Sequence, residues 1–152
     1  MRRRFAVSGA LALAATTAVA VGVSSSIARA PATKPLFASL TGAAEVPGPG
    51  DTDGLGAASV VFTGGNRICY SLVVNAIAKP VAAHIHEGRA GVAGDVVVTL
   101  KQPAKGNAGT SAACVAAPAE VVNRIKANPK SFYVNVHTGP FPGGAIRGQL
   151  HR

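Results

Sequence analysis

Acidic and aromatic residues are scarce in this sequence of 152 residues. It contains six Asp and Glu in total, two Tyr, five Phe and no Trp. The few carboxylates form no pair at a recognisable spacing, which argues against glycosidase-type acid–base catalysis. A Gly-x-Ser-x-Gly nucleophile elbow is also lacking, and this argues against a nucleophilic hydrolase. We therefore predict no catalytic residues.

Clusters of basic residues are absent from most of the chain. Eleven of the fifteen Lys and Arg, and all six acidic residues, lie after residue 30, which gives that part a net charge of +5. These bases are scattered, whereas nucleic-acid-binding surfaces cluster Lys and Arg and often add aromatic residues for stacking. We expect no nucleic-acid partner.

The N-terminus has the three parts of a secretory signal peptide. Three arginines at 2–4 are followed by an uncharged, Ala- and Val-rich stretch over 5–23 and by small residues at 24–30. We predict a signal peptide over residues 1–30, cleaved at about 24–30. The remainder is then secreted, periplasmic or attached to the cell envelope. The alternative is an uncleaved membrane anchor, and the export route, Sec or twin-arginine, stays open.

The sequence has only two cysteines, Cys69 and Cys114. In an oxidising compartment an even pair of cysteines defaults to one disulfide, so we predict that these two are bonded. A thiolate metal site is the alternative. It is disfavoured because neither cysteine has a second Cys or His at metal-ligand spacing.

Glycine and proline punctuate the chain after residue 30, where all ten Pro and sixteen of the eighteen Gly lie. Such dense turn signals predict many short strands. The strands are predicted at residues 36–41, 57–63, 67–75, 81–87, 95–101, 111–116, 131–138 and 145–151. One helix is predicted between Pro118 and Asn128. Eight strands and one helix indicate an all-β domain over residues 31–152, a Greek-key-like β-sandwich.

Histidines supply the candidate site of the sequence. His84 and His86 are two residues apart in a predicted strand, so their side chains share one face. Their Cα atoms lie ~6.6 Å apart, which lets both imidazoles approach one ion at ~2.0 Å. His137 lies in a second predicted strand. We therefore predict a three-histidine metal site, whereas His151 is expected at a frayed C-terminus.

Imidazole ligands suit copper and zinc, and in an exported protein we expect copper before zinc. The alternative is a domain without a metal, in which the histidines lie on the solvated face of the sheet or hydrogen-bond to neighbouring loops. The alternation of a strand also places Tyr133 and Asn135 on the face of His137.

Several spaced motifs occur in the order typical of one known domain. They are His-Ile-His-Glu-Gly at 84–88 and the segments 91–100, 127–129, 132–138, 141–144 and 145–150, with an opening segment at 37–47. Together they resemble the CHRD domain, named after chordin, from residue 36 to residue 152. The resemblance implies an exported single-domain protein of bacterial type.

The resemblance does not imply a role in growth-factor binding. This sequence contains no Cys-rich modules of the kind through which chordin binds growth factors. The expected partner is therefore an unknown extracellular protein or surface ligand, and a membrane is contacted only through an uncleaved signal segment. We favour an extracytoplasmic binding or structural module, with copper or zinc binding by His84, His86 and His137 as the alternative.

A weaker similarity is to copper/zinc superoxide dismutase. A His-x-His strand, a downstream histidine, a disulfide and an arginine near the C-terminus carry it. It implies a superoxide-dismutase-like fold and a minor redox variant of the copper hypothesis, with Arg147 guiding an anion. The sequence departs from that family because it lacks a further histidine that could bridge two metals and an aspartate cluster for zinc.

Overall fold

The computed structural model describes residues 34–152, and the signal peptide predicted over residues 1–30 lies outside them. Eight strands and one α-helix make up this part of the chain. The strands are β1 (Leu36–Thr41), β2 (Leu55–Thr63), β3 (Arg67–Asn75), β4 (Pro80–Glu87), β5 (Val96–Leu100), β6 (Gly109–Ala116), β7 (Phe132–Thr138) and β8 (Ile146–Gln149). The helix is α1 (Ala119–Ala127), and short 3-10 turns lie at Gly42–Ala44 and Pro129–Ser131.

All eight strands belong to one antiparallel sheet in the order β5-β4-β7-β8-β1-β2-β3-β6. The two edge strands, β5 and β6, approach each other. This is shown by the hydroxyl of Ser111 on β6, which donates a hydrogen bond to the carbonyl of Lys101, the residue after β5. The sheet is therefore nearly closed into a barrel. This confirms the predicted all-β class with eight short strands and a single α-helix.

Alternating apolar residues fill the interior of the sheet. In β3, for example, buried and exposed residues alternate along the strand, and Ile68 and Leu72 are completely buried. The helix α1 adds Val121, Val122 and Ile125 to the same core. Within residues 34–152, no helix combines the length and apolar character needed to cross a membrane.

The predicted and observed boundaries of the strands differ by at most two residues.

The prediction that the C-terminus is frayed at His151 is wrong. The amide of His151 donates to the carbonyl of Phe37 at 2.9 Å, and the amide of Phe37 donates back at 2.8 Å. These two hydrogen bonds add the C-terminus to the edge of β1, where Thr41 already pairs with Arg147 of β8.

The disulfide between Cys69 and Cys114 joins two neighbouring strands. The two cysteines lie directly opposite each other in the register of β3 and β6. Because β6 is an edge strand with a neighbour on one side only, the disulfide ties the edge of the sheet to its interior.

We expect the double substitution Cys69→Ala/Cys114→Ala to lower the free energy of unfolding by about 4 kcal/mol, since the disulfide closes a long loop in the unfolded chain. The two cysteines are 45 residues apart in sequence. Urea denaturation of the oxidised protein and of the double variant measures the difference. A loss below about 1 kcal/mol would contradict this role of the disulfide.

Candidate metal centre

The antiparallel pairing of β4 with β7 places the three predicted histidines side by side. His84 lies opposite Asn135, and Ala82 lies opposite His137, so His84 and His137 are diagonal neighbours on one face of the sheet. His86 follows two residues after His84 on the same face. One ring nitrogen from each histidine lies within 4.8 Å of the other two. The sequence-predicted cluster is therefore present in the fold.

Two of the histidines have one ring nitrogen fixed by a backbone carbonyl. Nδ1 of His86 lies 2.8 Å from the carbonyl oxygen of Gly94, and Nδ1 of His137 lies 2.9 Å from that of Pro142. A carbonyl oxygen only accepts hydrogen bonds, so Nδ1 is the donor in both rings. Each neutral ring then has its lone pair on Nε2. Histidines that bind metals usually donate their other ring N–H to such a partner.

The remaining ring nitrogens of His84 and His137 lie at a spacing compatible with one ion. Nδ1 of His84 and Nε2 of His137 are 3.1 Å apart and form a hydrogen bond, in which Nδ1 of His84 donates because the lone pair of His137 is on Nε2. A bound ion would take the place of the proton between them. Two nitrogens that share a tetrahedral ion at ~2.0–2.1 Å would lie about 3.3 Å from each other. Nε2 of His86 is buried and has no hydrogen-bond partner among residues 34–152. Such an orphaned buried acceptor is unusual in a protein interior, and a bound metal ion would satisfy it.

The surroundings of the cluster favour neutral imidazoles. Burial lowers the pKa of His84, and the positive charges of His137 and His86 lower it further. Burial also lowers the pKa of His86, although the hydrogen bond to Gly94 opposes this shift. Neutral imidazole is the form that binds a metal ion.

Tyr133 supports His86 from the neighbouring strand. The two rings are stacked, with centroids 4.7 Å apart and an angle of 9° between their planes. The hydroxyl of Tyr133 also accepts a hydrogen bond from the amide of Gly94 at 3.2 Å. A Cβ atom at Gly94 would lie 1.7 Å from the carbonyl oxygen of Glu87, so only glycine fits there. The ring of Tyr133 and the carbonyl group of Gly94 are thus both held against His86.

A layer of buried polar side chains lies beside the histidines. Glu45, Asn135 and Arg147 have exposed fractions of 8%, 2% and 2%. The side-chain amide of Asn135 donates to Oε1 of Glu45 at 2.7 Å. Gly144 has a φ of +148°, and a Cβ atom there would lie 2.4 Å from the carboxylate of Glu45. The loop that contains Gly144 can therefore approach Glu45 this closely only because this position is glycine.

Arg147 contacts the loop between β4 and β5. Its Nη2 donates to the carbonyl oxygens of Arg89 at 3.0 Å and Val92 at 2.9 Å. Its guanidinium carbon lies 3.3 Å from the ring centroid of Tyr133. The described hydrogen bonds of this guanidinium go to backbone carbonyls of the protein itself, and the anion-guiding role of Arg147 stays a prediction.

Sequence reasoning found the histidines but assigned no role to their supporting residues. The alternation of β7 does place Tyr133 and Asn135 on the face of His137, and this signal could have identified both. Glu45 gave no such signal, because it is 90 residues from Asn135 in sequence and lies at the end of a 3-10 turn. Gly94 gave no signal either, because nothing in the sequence distinguishes it from the other glycines.

Comparisons with known proteins identify a family over most of the chain. The family model of the CHRD domain matches residues 36–150. Searches of curated proteins and of solved structures found no match. The weaker similarity to copper/zinc superoxide dismutase therefore stays a sequence-level prediction.

The buried carboxyl of Glu45 predicts a pH-dependent stability. Burial raises its pKa from 4.5 to about 7, although the charge of Arg147 opposes this shift. Between these two values Glu45 binds more protons in the folded state than in the unfolded state, so this group makes the free energy of unfolding decrease as the pH rises through the range. The lowered pKa values of His84 and His86 act in the opposite direction. Glu45→Gln removes the titrating carboxyl, and we expect it to remove the decrease that Glu45 causes.

Urea denaturation across this pH range measures the effect. Glu120→Gln is a matched control, because Glu120 is exposed on α1 and the same chemical change is made there. Parallel stability curves for the wild type and Glu45→Gln would contradict the prediction.

Proposed function

Since the chain belongs to the CHRD domain family and its fold brings three histidines together, we propose that it is an exported copper-binding protein. In this proposal His84, His86 and His137 are the ligands, and copper is preferred to zinc. The protein binds, buffers or carries the metal outside the cytoplasm and does not turn over a substrate.

The buried Nε2 of His86 is the observation on which the proposal depends. This nitrogen has no protein partner within residues 34–152, while the opposite nitrogen of the same ring is fixed by the carbonyl of Gly94. In a domain without a metal this arrangement leaves an unsatisfied acceptor, which costs about 1–3 kcal/mol. A metal ion shared with the other two histidines removes that cost.

The ligand set supports copper over zinc. Three neutral nitrogen ligands bind divalent copper more tightly than zinc by the general order of metal affinities. Zinc sites more often recruit thiolates or carboxylates as well. The residues 34–152 contain no free cysteine, and no acidic side chain belongs to the cluster.

Export of the protein is supported by two independent features. The N-terminal 30 residues have the composition of a signal peptide. The bonded pair Cys69–Cys114 fits an oxidising compartment, where disulfides persist.

Redox catalysis is not part of the proposal. A superoxide-dismutase-like enzyme needs a cation directed at an incoming anion, and the described hydrogen bonds of Arg147 go to the carbonyls of Arg89 and Val92 instead. A metal-free binding or structural module is the alternative, and the metal-binding experiment below distinguishes the two.

Calorimetric titration of the purified exported protein with copper and, separately, with zinc tests the proposal. We expect one copper ion per chain and weaker binding of zinc. His86→Ala removes a ligand and should weaken copper binding by more than the 10- to 100-fold typical of lost supporting residues. His151→Ala is the matched control, because His151 is exposed and outside the cluster. Equal copper binding by the wild type and a folded His86→Ala variant would contradict the proposed site.

A further inference from the structure

The loop between β4 and β5 is held in place by Arg147. This loop, residues 88–95, is called the β4–β5 loop below. Arg147 is almost completely buried on β8, and its two hydrogen bonds reach the carbonyls of Arg89 and Val92 in the loop. A buried guanidinium is costly unless its donors are satisfied, and hydrogen bonds from a charged donor are about twice as strong as neutral ones. The loop carbonyls are therefore strongly fixed.

The same loop supplies the hydrogen bond that determines which ring nitrogen of His86 has the proton. Its Gly94 carbonyl accepts from Nδ1 of His86 at 2.8 Å, which leaves the lone pair on Nε2. Without this carbonyl the neutral ring could carry its proton on either nitrogen. The position of the loop therefore decides whether Nε2 is available as an acceptor.

We propose that Arg147 is a positioning residue for this site: by fixing the β4–β5 loop it keeps the proton of His86 on Nδ1 and the lone pair on Nε2. Arg147 contacts no ligand atom itself. The lone pair on Nε2 matters for function only if the protein binds copper as proposed above. The control of the His86 proton by Arg147 does not depend on copper binding. Outer partners that orient a ligand histidine typically change metal affinity by 10- to 100-fold.

Two-bond ¹H–¹⁵N correlation spectra of the metal-free protein test the inference, because they distinguish Nδ1–H from Nε2–H histidines. We expect Nδ1–H for His86 in the wild type, and a shift toward Nε2–H in Arg147→Met. Arg124→Met is the matched control, since Arg124 is half exposed and forms a surface ion pair with Glu87. The control should retain the wild-type pattern.

Arg147→Lys is the second variant, in case Arg147→Met does not fold. Lysine keeps the charge but lacks the planar guanidinium that lies on the Tyr133 ring and holds Nη2 between the two carbonyls, so we expect the same shift of the proton. Copper affinity should fall 10- to 100-fold in either folded variant. An Nε2–H form in the wild type, or an unchanged Nδ1–H form in a folded Arg147 variant, would overturn the inference. A shifted proton in a protein that binds no copper would leave this inference standing and refute only the proposed function.

A separate observation concerns the outer surface of β1, β2, β3 and β6. The outward side chains are alternate residues of 37–41, 55–63, 67–75 and 110–116, and Arg67 is the only charged one among them. We call this surface the uncharged face. Exposed apolar residues lie on it, including Leu55 and Val73, which are 54% and 41% exposed and line a groove of about 460 Å³. Surfaces designed to be soluble are given about 25–35% charged residues.

From this surface we also infer that two copies of the chain associate through their uncharged faces. Residues 31–152 have a net charge of +5, and an association through the uncharged face brings only Arg67 of each copy into the contact, so like-charge repulsion is weakest in this orientation. The strands β2 and β3 have nine residues each. β1 has six residues and β6 has eight. At ~3.3 Å per residue and ~4.8 Å between strands, the four strands cover about 500 Å² per copy, or about 1,000 Å² in total, which is the size of a weak, transient interface.

Sedimentation velocity from micromolar to millimolar protein tests the association. We expect a monomer–dimer equilibrium that Val73→Lys weakens at least tenfold, because it places like charges in the interface. Val81→Lys is the matched control, since Val81 is exposed on β4, outside the uncharged face. A monomer at all concentrations, or a dimer unchanged by Val73→Lys, would overturn the inference.

Discussion

The antiparallel pairing of β4 with β7 is the constraint on which the candidate metal site depends. Side chains alternate along a strand, so a slip of one residue would turn His84 and His86 toward the core. Ile85 on β4 and Val134 on β7 lie opposite each other and are completely buried. Their burial makes such a slip costly, because each would be exposed to water. The packing of the core therefore fixes the spacing of the histidines on the other face of the same strands.

The outer face of β7 is unusual because polar residues are buried there. Asn135 and Tyr133 are almost inaccessible to solvent, although a sheet of this size commonly leaves one face in water. Loops cover them, and the loops make hydrogen bonds through backbone carbonyls and amides. Such a polar layer adds less stability than an apolar core of equal area, but its hydrogen bonds are directional. It is therefore suited to fixing the orientation of a few side chains.

Much of the fold was predictable from residue alternation and turn residues, and the structure confirms eight strands and the helix close to their expected bounds. The alternation rule also brought His84, His86 and His137 together, because two strands of opposite direction can share one face. The supporting contacts were not predictable. Gly94 and Glu45 reach the site from loops, and the path of a loop depends on packing that no local pattern records. Arg147 showed the same limit, since its position in β8 was predicted but the carbonyls that it contacts were not.

The disulfide between Cys69 and Cys114 also determines what a copper-loaded form would look like. Both sulfur atoms are bonded to each other, and residues 34–152 contain no free cysteine that could join the histidines. The intensely blue copper proteins have a cysteine thiolate next to two histidines. Copper held by imidazoles alone lacks the strong light absorption that a sulfur ligand provides. The protein would therefore be nearly colourless with copper bound, and visible absorption would be a poor guide to its metal content.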